Sequence, residues 1–397
     1  MATEWKKVKL GEISNKIQTG PFGSQLHMSD YSDNGTPVVM PKDMINGKIS
    51  EETIARVSEE HVKRLSRHIV TEGNILYARR GDVGKCVYVT KYETGWLCGT
   101  GCLNVDIDTN IADSKFIFYH LQNPDTVGWV YKNAKGATMP NLNTDILSDV
   151  PLQIPSIQTQ RKIASILSAY DDLIENNNKQ IKLLEEEAQK LYKEWFVKLN
   201  FPGHENVKIV DGVPEGWKKE KLINLVDVQY GYAFDGKFFN SERKGTPIVR
   251  IRNIPDGTTN DFTTENAPED YKIHNGDILV GMDGEFHINT WNQGEAYLVQ
   301  RSCSIRPNKE IMKGYILQAI YKPIKFFEKT VVGATVSHLG KKHIDTIEIL
   351  TCPDEFYVPF DNFLKKKQTL QNQIQLLQLA RDKLLPKLMN QEIEVTA

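Results

Sequence analysis

The side chains best suited to chemistry in this chain are basic and gathered into short islands. His61-Val62-Lys63-Arg64 precedes Arg67 and His68, Arg79-Arg80 precedes Lys85, and Lys132 precedes Lys135; later come Arg250 with Arg252, and Lys341-Lys342-His343. Lysine and arginine suit phosphate oxygens, whose neutralisation releases counterions, while an arginine fork or an amide suits the edge of a base. Net charge is only -2, from 49 basic and 51 acidic residues, so contact with nucleic acid must be local. Amide, hydroxyl and imidazole side chains accompany the islands in Gly-rich loops. The candidate DNA contacts are therefore Arg79, Arg80, Lys85, Lys132, Lys135, Thr138 and Asn141, then Tyr230, Arg250, Arg252, His287, Asn289, Ser337, His338, Lys341 and Lys342. Phe22, Tyr232 and Phe234 share such loops and fit either loop packing or contact with base edges and sugars.

A second chemistry is spelled by Pro255-Asp256 followed by Asp270-Tyr271-Lys272. Two carboxylates for magnesium and a lysine to activate water would make a nuclease. The pattern is short, and Asp256-Gly257 reads equally as a turn. Other chemistries are missing. There is no GxxxxGK[ST]: GDVGK (81–85) has the wrong spacing, with Cys86 where a magnesium-binding hydroxyl belongs. No GxGxxG cofactor loop, Asn-Pro-Pro-aromatic tetrapeptide, HExxH or GxSxG occurs either. Five cysteines, at 86, 98, 102, 303 and 352, form no disulfide framework and suit a reducing cytosol. Cys98 and Cys102 could be half a metal site, but no second pair stands at zinc-ligand spacing. No run of about 18 apolar residues suggests a span, and MATEWKKVKLGEI has no secretory pattern.

The elements that must position these groups come in two copies. Trp5-Lys6-Lys7 is answered by Trp217-Lys218-Lys219, GTPVV (35–39) by GTPIV (245–249), and GNILYARRG (73–81) by GDILVGMDG (276–284). GAT (136–138) is answered by GAT (333–335), and QIKLL (180–184) by QIQLL (373–377). The offset between partners shrinks steadily along the chain, as a duplication with short deletions requires. Two copies of roughly 200 residues make a tandem domain duplication, too long a period for a solenoid. At 397 residues, 40% hydrophobic and 25% charged, each copy can bury its own core.

Each copy opens with an α/β (α+β) part, 1–155 and 204–353. TPVVM, NILYA, KCVYVT, TPIVRI, DILVGM and AYLVQ read as strands bounded by turn formers, with helices over 113–122 and 311–329. Each closes with a helical part, 156–203 and 354–397. Residues 158–198 hold no Pro or Gly, and a heptad frame puts Ile174, Ile181, Ala188 and Trp195 at one seam position, and Asn177, Leu184, Leu191 and Lys198 at the other. In the second copy Phe360, Ile374 and Leu388 share one phase, and Phe363, Leu370, Leu377 and Leu384 the other; Arg381 interrupts it, and Pro386 should kink or end the helix. A helix of about 40 residues spans roughly 60 Å and cannot bury a stripe alone. The economical solution pairs the two helices as a coiled coil, in an orientation the pattern leaves open; the alternatives are that each folds back on its own domain or that a partner shares the seam. Aromatic and aliphatic side chains beyond that seam, Tyr192, Trp195, Phe196, Leu384, Leu385 and Leu388, are candidate partner contacts or domain-base packing.

Two such domains, each opening near Trp-Lys and each followed by a long helix, resemble the specificity subunit of type I restriction–modification systems. GPFGS (20–24) and GATMPNLN (136–143) look like landmarks of its first recognition domain. The segment 158–197 is similar to its central conserved helix, and LARDKLLPKLMNQEIEV (379–395) to its C-terminal ending. The second copy departs with GATVSHLGKKHI and VPFDNFL. The resemblance implies a non-catalytic, cytoplasmic subunit in which two target-recognition domains read the halves of a split, asymmetric site in double-stranded DNA. It implies an antiparallel coiled coil that spaces the halves and docks two methyltransferase subunits, which restriction subunits then join. It also implies that the chain itself holds no metal or cofactor: S-adenosylmethionine, ATP and magnesium serve the partners. A magnesium nuclease, or a helical scaffold that reads no sequence, are the competing functions.

Overall fold

The computed structural model describes residues 5–136, 140–330 and 337–395. The chain forms two compact units, Met1–Asp172 with Leu377–Ala397, and Leu173–Leu376. The units therefore share out both long helices rather than breaking at their ends. Each is a mixed α+β body built on one plan.

In the first unit a four-stranded antiparallel sheet has the order Ser14–Thr19, Cys102–Ile107, Ile75–Ala78, Cys86–Tyr88. Ile75, Leu76, Tyr77 and Ala78 are all buried, as an unbroken apolar run in a covered strand should be. A second sheet joins Leu97–Cys98, Thr36–Val39, Ala55–Val57 and Tyr31–Ser32, its first pair being parallel. The ribbon Lys6–Lys9 with Pro151–Ile154 brings the start and end of this part together.

The second unit repeats the plan. Its main sheet runs Val226–Tyr230, Ser302–Pro307, Ile278–Gly281, Ile288–Thr290, and its ribbon is Lys218–Lys221 with Glu348–Thr351. Its second sheet again has one parallel pair, Thr246–Val249 with Ala296–Leu298. The recurring sequence landmarks thus have a physical reason: Trp-Lys-Lys enters the ribbon that closes each copy. The repeated Gly-Thr-Pro has one as well. Gly35 lies at φ +123° and a Cβ there would stand 2.2 Å from the Val57 carbonyl; Gly245 lies at φ +82°, 2.0 Å from that of Thr263. Only glycine fits either place.

The central helix, Ile157–Tyr192, continues as a single wider turn at Lys193–Val197. The C-terminal helix is Val358–Met389. Within the first unit Ile163, Ala164 and Leu167 share a core with Leu385, Leu388 and Met389. There Arg381 Nη1 meets Asp171 Oδ1 at 2.5 Å, and the Tyr119 hydroxyl donates to Asp171 Oδ2 at 2.5 Å. Within the second unit Asn177 donates to Gln373 at 3.3 Å, and Lys367 pairs with Glu185 at 2.7 Å. In each unit the residue numbers on the two helices run in opposite senses, so their segments pack antiparallel.

Arg381 and Asn177, polar residues that interrupt the apolar phase, each have a polar partner on the facing helix. Pro386 does not end the C-terminal helix, which passes through it to Met389. One lost donor is offset because Leu385 just before it and Leu388 and Met389 beyond it are all buried. Among the described residues no helix is long and apolar enough to cross a membrane.

Candidate nucleic-acid interface

In the first unit the turn after Ile75–Ala78 is pinned by backbone bonds. Arg79 N–H donates to the Gly101 carbonyl at 2.8 Å, and Leu142 N–H to that of Arg79 at 2.8 Å. Arg80 forms an isolated antiparallel bridge with Asn141, and Lys135 exchanges two backbone bonds with the same residue. The fold therefore gathers Arg79, Arg80, Lys135 and Asn141 from segments far apart in sequence. Arg79 donates from Nε to the Leu142 carbonyl and stands 5.7 Å from the Phe22 ring, a cation–π distance. Burial, with Arg80 alongside, lowers its pKa from the usual arginine value. Among the described residues the buried side-chain oxygen of Asn141 has no hydrogen-bond partner. Lys85 sits in the same turn, paired with Asp82 at 3.5 Å in an exposed contact that costs little to break. Lys132 lies exposed in the last turn of Pro124–Asn133. Thr138 lies outside the described residues.

The second unit builds the same junction. Met282 N–H donates to the Arg301 carbonyl at 2.9 Å and Leu339 N–H to that of Met282 at 2.7 Å, while Asp283 bridges His338. The side chains differ completely. Arg79, Arg80, Gly101 and Asn141 of the first unit are replaced by Met282, Asp283, Arg301 and His338. Asp283 accepts from His338 Nδ1 at 2.5 Å and pairs with Arg301. Burial alone would raise its pKa, but those two hydrogen bonds outweigh it and hold the carboxyl below the usual value. Ser337 contributes its backbone carbonyl to Gly284 N–H at 3.0 Å. Lys341 and Lys342 follow, exposed, in the short helix Lys341–Ile344.

Other expected contacts are differently employed. Asn289 is not free to read a base: its amide donates to the Ile254 and Pro255 carbonyls, and its oxygen accepts from Lys367 and from Thr290 N–H. Arg252 is held in place by both Asp261 oxygens, at 2.6 and 2.7 Å. Arg250 lies 5.5 Å from the Phe239 ring, and His287 stands 3.7 Å from Glu285. Tyr230 packs on the core edge, where burial pushes its hydroxyl up to about 12. Arg301 and Asp283 escaped the sequence reading. Their signal was available, because Arg301 occupies the register of Gly101 in the other copy.

Partner contacts also need correcting. Phe196 is buried among Trp217, Tyr315 and Phe360, and Leu385 and Leu388 lie inside the first unit's core. Those three side chains have no surface left to offer. Tyr192 and Trp195 are half-buried against Phe360, and Leu384 is partly buried.

The nuclease pattern is not assembled into a site. Lys272 pairs with Glu269 and Glu295, at 2.8 and 3.4 Å, rather than with either aspartate. Among the described residues no three His, Cys, Asp or Glu side chains are grouped to hold a metal. Cys98 and Cys102 are buried thiols; burial pushes Cys98 up to about 12, and Cys102 Sγ faces the Val39 carbonyl at 3.3 Å.

A family model described as the type I restriction modification DNA specificity domain matches residues 2–186 and 214–356. The chain belongs to that family. Specificity, not catalysis, is its role. A similar protein is the type I restriction enzyme MjaIX specificity subunit of Methanocaldococcus jannaschii, 27% identical over 98% of this chain and 93% of its own. The HindI specificity subunit of Haemophilus influenzae is 24% identical over 98% of this chain and all of its own. The crystal structure of a type I restriction–modification S subunit from M. genitalium shares the fold, with TM-score 0.58 at 16% identity, over 99% of this chain and 97% of that one. As a specificity-family member, the chain carries its two family matches on two units of one plan.

Proposed function

We propose that this chain is the DNA-reading subunit of a type I restriction–modification complex, with each unit reading one half of a split, asymmetric site in double-stranded DNA. One observation carries the reading. A single backbone junction is built twice, with Arg79, Arg80 and Asn141 in one copy and Asp283, Arg301 and His338 in the other. Two readers of one shape and unlike side chains suit two unlike half-sites, because base edges are told apart by donor and acceptor pattern. A scaffold without sequence reading has no use for that divergence.

In this reading residues 1–155 and 204–353 are the target-recognition domains, and 156–203 and 354–397 the helical regions. The helices pair as an antiparallel coiled coil that spaces the half-sites and docks two methyltransferase subunits; restriction subunits complete the assembly. With Phe196, Leu385 and Leu388 buried, docking falls to Tyr192, Trp195, Leu384 and exposed apolar side chains such as Leu183 (59%) and Leu376 (66%). S-adenosylmethionine belongs to the methyltransferase, ATP and magnesium to the restriction subunits, and the complex works in the cytoplasm of a prokaryotic cell.

Phosphate contact by Lys341 and Lys342 gives a direct test. Their double replacement by Ala should weaken binding of the assembled complex to every duplex alike and reduce the slope of log K against log[salt] by about 2. Fluorescence titration across a salt series measures it. An unaltered slope would move the DNA-facing surface elsewhere.

A further inference from the structure

We infer that Arg301 reads a guanine in the second half-site and that Asp283 is the residue that positions it. This rests on the reading of the chain as a DNA-specificity subunit. Arg301 is 65% exposed, whereas the Asp283 carboxylate is 14% exposed and binds both Arg301 and His338. A sheltered anion thus presents two exposed donor groups side by side. An arginine fork matches guanine N7 and O6 in the major groove, the commonest specific contact in DNA recognition.

A bland account would make the cluster a brace for the loop. The first unit argues against it. There the same backbone bonds form, Arg79 N–H to Gly101 and Leu142 N–H to Arg79, with none of these three side chains at the matching positions. The junction therefore does not need them. Stability does not account for them either. Arg301 is held at φ +68°, a region that disfavours side chains, and its own guanidinium is largely exposed, so its ion pair offsets little of that cost. Non-glycine residues kept in such a conformation gather at functional sites.

The cluster also differs from its counterpart in the direction that specificity demands. Arg80 of the first unit is matched by Asp283, a reversal of charge on a fixed backbone. His338, at the place of Asn141, offers a second polar head beside Arg301 rather than an amide. The two junctions would therefore prefer different base patterns in the same groove.

The test uses the whole chain assembled with its methyltransferase subunits on genomic DNA, with methylated positions read by sequencing. The wild-type complex should yield a split motif containing a guanine in one half. Arg301→Ala should make that guanine degenerate, or slow modification at the original site by about 10- to 100-fold, and leave the other half unchanged. Arg301→Lys should not restore discrimination, because a point charge lacks the fork. Asp283→Asn should lower selectivity at the same base. An Arg301→Ala complex with the wild-type motif and rate overturns this inference while leaving the DNA-reading role intact. Modification without sequence preference by the wild-type complex overturns both.

Discussion

Asp171→Ala lowers the stability of the first unit by roughly 2 kcal/mol. The carboxylate joins Arg381 on the facing helix and the Tyr119 hydroxyl from the domain, and only a fifth of either charged side chain is exposed. Removing it leaves the mostly buried guanidinium with Asp382 as its remaining anion, at 2.8 Å, and the Tyr119 hydroxyl without its acceptor, which costs more than the loss of an exposed ion pair. A triple replacement, Asp171→Leu with Arg381→Leu and Tyr119→Phe, should recover most of the loss, because well-packed apolar groups serve as well as a buried pair. Denaturant unfolding of the full chain, followed by a probe in the first unit, distinguishes these outcomes. A loss below about 1 kcal/mol for Asp171→Ala would mean that the pair is solvated like a surface contact.

Lengthening the paired helices changes the target, not the letters read. Asn177 faces Gln373 and Glu185 faces Lys367, so an insertion in one helix alone would slide these partners past one another. Four residues added after Asn177 and four added before Gln373 keep the pairs opposed. They also keep the apolar stripe nearly in phase, since a turn holds about 3.6 residues. The added rise is about 6 Å, or roughly two base pairs of duplex. The unread gap should grow by one or two base pairs, with modification of the original site falling about 100-fold. An unchanged gap at full activity would show that the helices do not set the spacing.

Much of the fold was legible because duplication displays it twice. Strands such as Ile75–Ala78 and Ile278–Gly281 fall inside apolar runs bounded by turn residues, and the helix Ser114–Gln122 lies where its period indicated. Ile174, Asn177 and Ala188 of the heptad frame are buried, while Ile181, Leu184, Leu191 and Trp195 are half-buried and Lys198 is exposed beyond the helix. The errors came where distant partners decide the outcome. Of the two outcomes expected at Pro386, a kink or an end, the helix does not end there, because Leu388 and Met389 are buried and hold the last turn. Asn289 looks like a reader until its bonds to backbone more than thirty positions away are seen. Arg301 looks like an isolated charge after a strand; only the bridge between Asp283 and His338 gives it a setting. Residue type is local, whereas a site is assembled from segments.

The central claim is that each unit reads its own half-site. The most direct measurement is the methylated motif of the assembled complex, mapped before and after residues 214–351 are exchanged for the matching segment of the HindI relative. The first map should give two unlike blocks of specified bases around an unspecified gap of fixed length. The second should keep one block and replace the other. A motif untouched by the exchange, or one altered in both halves, would contradict independent reading by the two units.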